Sequence, residues 1–345
     1  MRHWPPICLL SLSLIISCDS DRPLKPSTEW SADELVILEL DSDEAISTQC
    51  LAWEHPNILW QSSGHDEQSK LVKSLVYNLS LNGISTSDAS NMQQEDLAQQ
   101  EDLAQQASLV QQVIWPVNNI FAEGCTPLDQ WVLLLSWRSY SLHVINKSNG
   151  QQVDVWPIST EGWGLSASEQ GLIYSDGSST IRWIQPPSSW APNSSDPLDT
   201  NHRELNPNTN LALNIYKELS VYDQDRPIFQ LNELEWVEDF IFANVFPSDK
   251  VAMIDSESGQ VLAWLDLSSL ASVQRAQFRD QTRKQAGVSN GIAYDKTHDF
   301  IWFTGKHWSK LYGLKASSIL DQLRLLKESA SSQEKASLKL PSSSR

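Results

Sequence analysis

A short unit of strands that returns along this chain restricts its fold more than any other feature. The clearest copy spans residues 231–265 and contains four strand-length runs. The first is 231–236. The second, 239–246, carries Phe240, Ile241, Phe242 and Val245. Residues 250–255 alternate, the turn Ser256-Glu257-Ser258-Gly259 reverses the chain, and 260–265 returns. Short apolar runs separated by turn residues mark sandwiches, barrels and propeller blades. The opening of the unit recurs as Thr48-Gln49-Cys50-Leu51-Ala52-Trp53, Ala122-Glu123-Gly124-Cys125-Thr126, Thr160-Glu161-Gly162-Trp163-Gly164 and Ser289-Asn290-Gly291-Ile292-Ala293-Tyr294. An apolar run follows each copy after a turn, at 58–61, 131–137, 172–175 and 300–304. Repeats of this kind point to radial stacking. Five units predict an all-β fold, a five-bladed β-propeller, with Gln49, Glu123, Glu161, Asn232 and Asn290 at one equivalent position around the central channel. A large β-sandwich is the competing arrangement. The 40% hydrophobic content and fifteen Trp supply enough apolar bulk for a core of this size.

Outside the repeats the chain divides by composition. Residues 1–17 read as a leader: Arg2 is the basic start, and the apolar run 7–16 is too short to span a bilayer as a helix. The run ends Ile15-Ile16-Ser17-Cys18, which resembles a bacterial lipobox and predicts acylation at Cys18. Residues 18–33 then form a polar tether, and the propeller occupies 34–315. Within it, 35–40 is expected to close the ring by pairing beside 310–314. Two polar insertions interrupt the blades. Residues 82–107 carry the tandem Gln-Gln-Glu-Asp-Leu-Ala, and 186–210 are rich in Pro, Asn and Ser. An amphipathic helix is predicted over 266–286, before the last blade, with Leu267, Leu270, Val273 and Phe278 on one face. A second helix, about 316–331, leads into a Ser-rich tail ending at 345 that is predicted to be disordered.

A net charge of −18 argues against a nucleic-acid partner, because phosphate backbones demand clustered Lys and Arg. No H-E-x-x-H, C-x-x-C, G-x-S-x-G or phosphate-binding glycine loop is present. Neither a metal nor a cofactor is expected, and a hydrolase triad is disfavoured. If Cys8 leaves with the leader and Cys18 is acylated, Cys50 and Cys125 remain. An oxidising compartment permits a bridge between them; two buried thiols are the other possibility.

Several runs, in order over residues 45–315, carry a family likeness: Thr48-Gln49, Phe121-Ala122-Glu123-Gly124, Glu161-Gly162-Trp163-Gly164-Leu165, Ser175-Asp176-Gly177-Ser178, Leu231-Asn232-Glu233-Leu234-Glu235, Ala243-Asn244-Val245, Asn290-Gly291-Ile292-Ala293-Tyr294-Asp295 and Thr304-Gly305-Lys306-His307-Trp308. Together they resemble the glutamine cyclotransferase family of plants and bacteria (glutaminyl-peptide cyclotransferases), whose fold is a five-bladed propeller. The resemblance implies conversion of N-terminal glutamine to pyroglutamate with release of ammonia, on peptides or proteins that begin with Gln. It also implies a site built from Gln49, Trp60, Trp137, Trp163 and Phe246 as substrate-binding residues, with Asn232, Lys306 and residue 61 in catalytic roles. Such a site must fold the substrate for ring closure, stabilise charge on the amide oxygen and carry a proton from the attacking amine to the leaving ammonia. With the lipobox, it implies a monomer on the periplasmic side of a bacterial membrane, held by lipid at Cys18.

This sequence departs from the family at three places. By the resemblance, Glu-Ser-Thr-Gly follows the second strand of blade one and its Glu shuttles the proton; here the run is Gln61-Ser62-Ser63-Gly64. An amide cannot exchange a proton near neutral pH. By the same resemblance, Cys50 stands where a Gly is expected after Gln49, and Phe246 where a Trp is usual. Gln61→Glu is therefore expected to raise the rate, unless Glu54 or Glu123 has taken over the proton transfer. The alternative function is a catalytically silent propeller that binds peptide N-termini or another small ligand.

Overall fold

Strands with apolar side chains on both faces cannot leave either face in water, so their sheets must stack side by side. Trp131–Ser136 illustrates this: Val132 and Leu134 join one buried cluster, while Trp131, Leu133 and Leu135 join the next. Phe240–Val245 divides in the same way, with Phe240 and Phe242 on one side and Ile241 and Ala243 on the other. The computed structural model describes residues 12–15, 28–30, 36–40, 47–64, 68–77, 108–186, 212–277 and 286–337. It contains five four-stranded antiparallel blades closed into a propeller.

Blade I is Thr48–Glu54, Ile58–Ser63, Gln68–Tyr77 and Ser108–Asn118 from axis to rim. Blade II is Ala122–Leu128, Trp131–Ser136, Ser141–Asn146 and Gln152–Pro157. Blade III is Leu165–Ser168, Gly171–Tyr174, Thr180–Ile184 and Ile215–Ser220. Blade IV is Leu231–Val237, Phe240–Val245, Lys250–Asp255 and Val261–Asp266. Blade V is Ser289–Asp295, Phe300–Gly305, Lys310–Lys315 and, from the other end of the chain, Val36–Glu39. Leu311 pairs with Leu38 and Tyr312 with Ile37, so the expected closure of the ring is present. Each of the five buried clusters joins two neighbouring blades, and the fifth joins V back to I through Leu51, Leu59, Phe300 and Trp302.

Described strands also lie outside the five blades. Leu12–Ile15, inside the stretch read as a leader, pairs with the outer strand of blade IV, Leu14 opposite Leu265. Thr28–Trp30, inside the stretch read as a tether, pairs with Leu12–Ile15 in turn. A rim strand offers a row of unpaired backbone groups, which a run such as Leu-Ser-Leu-Ile can satisfy. The inserted helix α1 covers Ser268–Gln277, inside the predicted range, and residues 278–285 lie outside the described ones. The C-terminal helix α2, Ala316–Ser337, runs six residues beyond 331 because Gln333-Glu334-Lys335-Ala336 are good helix formers. The two polar insertions fall almost wholly outside the described residues, and the tail beyond 337 entirely so.

Cys50 and Cys125 form a disulfide across the innermost strands of blades I and II, their Cα atoms 5.6 Å apart. It closes a long loop, with 75 residues of separation. Loop-closure entropy assigns such a bridge about 4 kcal/mol. The double variant Cys50→Ala/Cys125→Ala should therefore melt well below the unaltered protein in thermal unfolding. An unchanged melting temperature would mean that the bridge contributes nothing.

Candidate active site

At one end of the channel four innermost strands carry a bulge, between Thr48 and Cys50, Ala122 and Cys125, Leu231 and Leu234, and Ser289 and Ile292. Bulges re-aim side chains, here toward the axis. Counting back from each hairpin turn sets the equivalences: Leu51, Cys125, Leu165, Leu234 and Ile292 hold the same place relative to the last strand residue before the turn, Glu54, Leu128, Ser168, Val237 and Asp295. Two residues upstream of them lie Gln49, Glu123, Trp163, Asn232 and Asn290. Glu161 is thus not a member of the ring. It stands two residues higher, at the place of Phe121 in blade II, and Trp163 takes the ring position in blade III. The two glycines flanking Trp163 hid this shift from motif alignment.

The residue after each ring position is Cys50, Gly124, Gly164, Glu233 or Gly291. Crowding at the axis explains the glycines: a Cβ on Gly164 would lie 2.2 Å from the Asn232 carbonyl oxygen, and one on Gly124 2.4 Å from the Leu165 nitrogen. Blade IV instead inserts Glu233, which is 1% exposed. Its Oε1 accepts from the Leu51 backbone N–H at 3.3 Å, and the Ile292 N–H also bonds to the carboxyl. Oε2 is buried with no partner among the described residues. Burial, reinforced by Glu235, holds this carboxyl well above the usual range.

A chain of amides runs around the ring. Asn232 Nδ2 donates to Asn290 Oδ1 at 3.0 Å. Asn290 Nδ2 donates to the Thr48 carbonyl at 3.0 Å and to Gln49 Oε1 at 3.2 Å. Lys306 Nζ donates to the same Gln49 oxygen. With the amides oriented this way, Asn232 Oδ1 is a buried acceptor with no partner among the described residues. Lys306 follows Phe300–Gly305, and its backbone pairs with Val288 and Gly287. Helix α1 braces this region, since Gln274 Nε2 donates to the Tyr312 hydroxyl and Arg275 pairs with Asp249.

Glu123 is 7% exposed. Burial pushes its carboxyl up to about 8, opposed by the Lys306 ammonium and reinforced by Glu161. Burial draws Lys306 downward, and Glu123 works against that. Around this pair stand aromatic rings. Phe121 meets Trp137 edge-on at 5.3 Å, Phe246 meets Trp163 edge-on at 6.4 Å, and Lys306 Nζ lies 5.7 Å from the Phe246 ring centre. Such a site can enclose a small polar group in an apolar cage and exchange a proton with it.

Of the residues singled out from sequence, Gln49, Asn232, Lys306, Trp163 and Phe246 are joined by these contacts, and Glu161 links Trp137 to Trp163. Trp60 is not among them. Successive strand residues face opposite sides, and Trp60 turns into the core between blades I and II, stacked on Trp115 with Nε1 donating to Glu54. Glu54 is thereby engaged, and it also pairs with Lys147. Gln61 shares the face of its strand partner Leu51, toward blade V, and donates to Thr48 Oγ1 at 2.6 Å. From sequence alone Glu123 is an alternative to residue 61 for the proton transfer. Counting from the hairpin turns, together with its apolar surroundings, was the signal available.

A sequence model of the family described as glutamine cyclotransferase matches residues 9–210 and 200–316. The glutaminyl-peptide cyclotransferase of Arabidopsis thaliana is 28% identical over 199 residues, 57% of this chain and 53% of that protein. The chain thus spans about half the length of that curated relative. The crystal structure of Myxococcus xanthus glutaminyl cyclase superposes with a TM-score of 0.56 at 22% identity, covering 81% of this chain and 93% of that one. That likeness establishes the shared propeller fold.

Proposed function

This chain belongs to the glutamine cyclotransferase family, and from that premise we propose that it converts N-terminal glutamine to pyroglutamate, with Glu123 as the proton carrier. The observation that supports this most is the buried Glu123, coupled by charge to Lys306, whose ammonium lies 5.7 Å from the Phe246 ring centre, with Trp163 edge-on to Phe246 and joined to Trp137 through Glu161. A free α-amino group titrates at roughly 7.7–8.0, close to the value of about 8 for Glu123. Proton exchange between the two is then nearly balanced, which suits general acid–base catalysis.

In this mechanism the α-amine gives a proton to the Glu123 carboxylate and attacks the side-chain amide carbon. A C–N bond forms, closing a five-membered ring. The Lys306 ammonium meets the charge that develops on the amide oxygen. Asn232 Oδ1, the free acceptor, holds an N–H of the substrate. Glu123 hands its proton to the amide nitrogen and takes one from the ring nitrogen as the old C–N bond breaks. The products are the pyroglutamyl chain and ammonia; Glu123 is left holding the proton that came from the substrate's α-ammonium group and passes it to the departing ammonia, so the protein ends with no net gain of protons. The aromatic walls exclude water, so the tetrahedral species collapses to the lactam rather than being hydrolysed. Ammonia release from Gln-initiated peptides tests the proposal. No release above background, at any pH from 6 to 9, would refute it and leave the silent binder as the function.

Attachment to a membrane through Cys18 is part of the same proposal, and it rests on Arg2, the apolar run 7–16 and the lipobox-like end. Processing before Cys18 would remove Leu12–Ile15 and leave the outer edge of blade IV free. No helix among the described residues is long and apolar enough to cross a membrane. Cys18→Ala should move the protein from the membrane fraction to the soluble one. A variant that still pellets with membranes after a salt wash would contradict acylation.

A further inference from the structure

Indole N–H groups are treated unequally in this protein. Those of Trp53, Trp183 and Trp302 are buried with no partner among the described residues. Others have an acceptor each: Trp60 has Glu54, Trp156 has Asp154 and Trp264 has Asp223. Only at the channel mouth, among the described residues, do two indoles from two blades meet on one atom. Trp137 Nε1 donates to Glu161 Oε2 at 3.0 Å, and Trp163 Nε1 donates to the same oxygen at 3.1 Å.

We infer that Glu161 is a positioning residue, which sets the spacing of the two indole walls by accepting both N–H groups on a single carboxylate oxygen. A carboxylate oxygen has two lone-pair sites, and bonds to a charged acceptor are stronger than neutral ones. The need for such a device follows from the fold. Trp137 comes just after the second strand of blade II, and Trp163 lies in the glycine-flanked segment that opens blade III. The ladders inside each blade fix neither ring relative to the other. Glu161 sits in the connection between the blades and reaches both. Its charge also favours the protonated form of Glu123, so one side chain shapes the walls of the pocket and biases the group at its centre. Clamping the walls sets how tightly a substrate terminus is held; misplacement of about 1 Å in such a site can cost about 10²-fold.

This inference deepens the proposed activity, and its test separates the two. The indole N–H resonances of Trp137 and Trp163 are identified by NMR from their loss in Trp137→Phe and Trp163→Phe. Glu161→Gln removes the charge and keeps an acceptor. Both resonances should move together in Glu161→Gln, whether or not the protein turns over. If one or neither moves, the shared clamp is wrong. On Gln-initiated peptides Glu161→Ala should raise KM, or Kd read by titration, about tenfold or more with a smaller change in kcat. Glu161→Gln should shift the acid limb of the kcat/KM profile to lower pH, because a like charge has left Glu123. A lowered melting temperature with unchanged peptide affinity would overturn the positioning role and leave Glu161 a stability residue. If the unaltered protein binds but does not cyclise, the activity falls while affinity still decides the clamp. If it neither binds nor cyclises, both fall.

Discussion

Glu123→Gln should lower kcat/KM for a Gln-initiated peptide by about 10²–10⁴-fold, the usual range for loss of a general acid–base. The substitution preserves shape and hydrogen bonding but removes the group that exchanges a proton with the amine. The unaltered protein should have a bell-shaped kcat/KM profile centred near pH 8. Below that, both the α-amine and Glu123, raised by burial to about 8, are protonated; above it both have lost their protons. In Glu123→Gln the alkaline limb should disappear, while an acid limb remains where the α-amine, which must still lose its proton to attack, puts it. In a protein that keeps Glu123, Lys306→Met should shift the acid limb upward, because the Lys306 ammonium holds the Glu123 carboxyl below where burial alone would put it. Gln61→Glu distinguishes the two assignments. If residue 61 is the site of a lost shuttle, restoring its carboxyl accelerates cyclisation at least about tenfold. If Glu123 carries the proton, Gln61→Glu adds a second buried acid, displaces the bond to Thr48 and gives no gain. Full activity in Glu123→Gln would end the assignment.

The second large effect is on stability, which should fall as pH rises from about 6.5 to 8. Glu123 is raised to about 8 by burial, Glu233 is held well above its ordinary value, and the partly buried Glu235 is also raised to about 8. A carboxyl with a raised pKa in the folded state keeps a proton that the unfolded chain releases above about 4.5. Its stabilising contribution is complete below that pH and is lost as pH climbs through the folded value. Each such group gives a slope of about 1.4 kcal/mol per pH unit. His143, lowered by burial, acts in the opposite sense, but only below its ordinary value of 6.5. Asp255 has a depressed pKa, and its contribution is lost only as pH falls below about 3.8. Between 6.5 and 8 the buried carboxyls therefore dominate. Melting temperatures measured across this window should decline. Glu233→Gln should match the unaltered protein near pH 5 and exceed it at pH 8, since the variant has no charge to force into the channel. A flat or rising profile in the unaltered protein would mean that these carboxyls ionise freely.

How much could be read before folding depends on the range over which each property is set. Strand alternation, turn residues and the recurrence of one unit are local, and they sufficed for five blades and for Val36–Glu39 closing the ring against Lys310–Lys315. Gln49, Asn232, Lys306, Trp163 and Phe246 were legible because their motifs keep one order along the chain. The rest depends on distances between segments far apart in sequence. Trp60 and Trp137 look alike in the sequence, yet the face of the strand sends one into the inter-blade core and leaves the other at the channel mouth. Cys50 and Cys125 could have remained thiols; the meeting of two innermost strands brings their Cα atoms within bridging range. Glu161 matched the ring by motif, but cross-strand pairing moved it up beside two indoles. The protonation of Glu123 follows from burial and from a lysine that is 183 residues away in the chain (306 − 123). Local sequence determines which elements form, because propensity and periodicity act over a few residues. Which side chains share the channel, and with what charge, is decided by tertiary packing, because solvation and Coulomb interactions depend on distance in space.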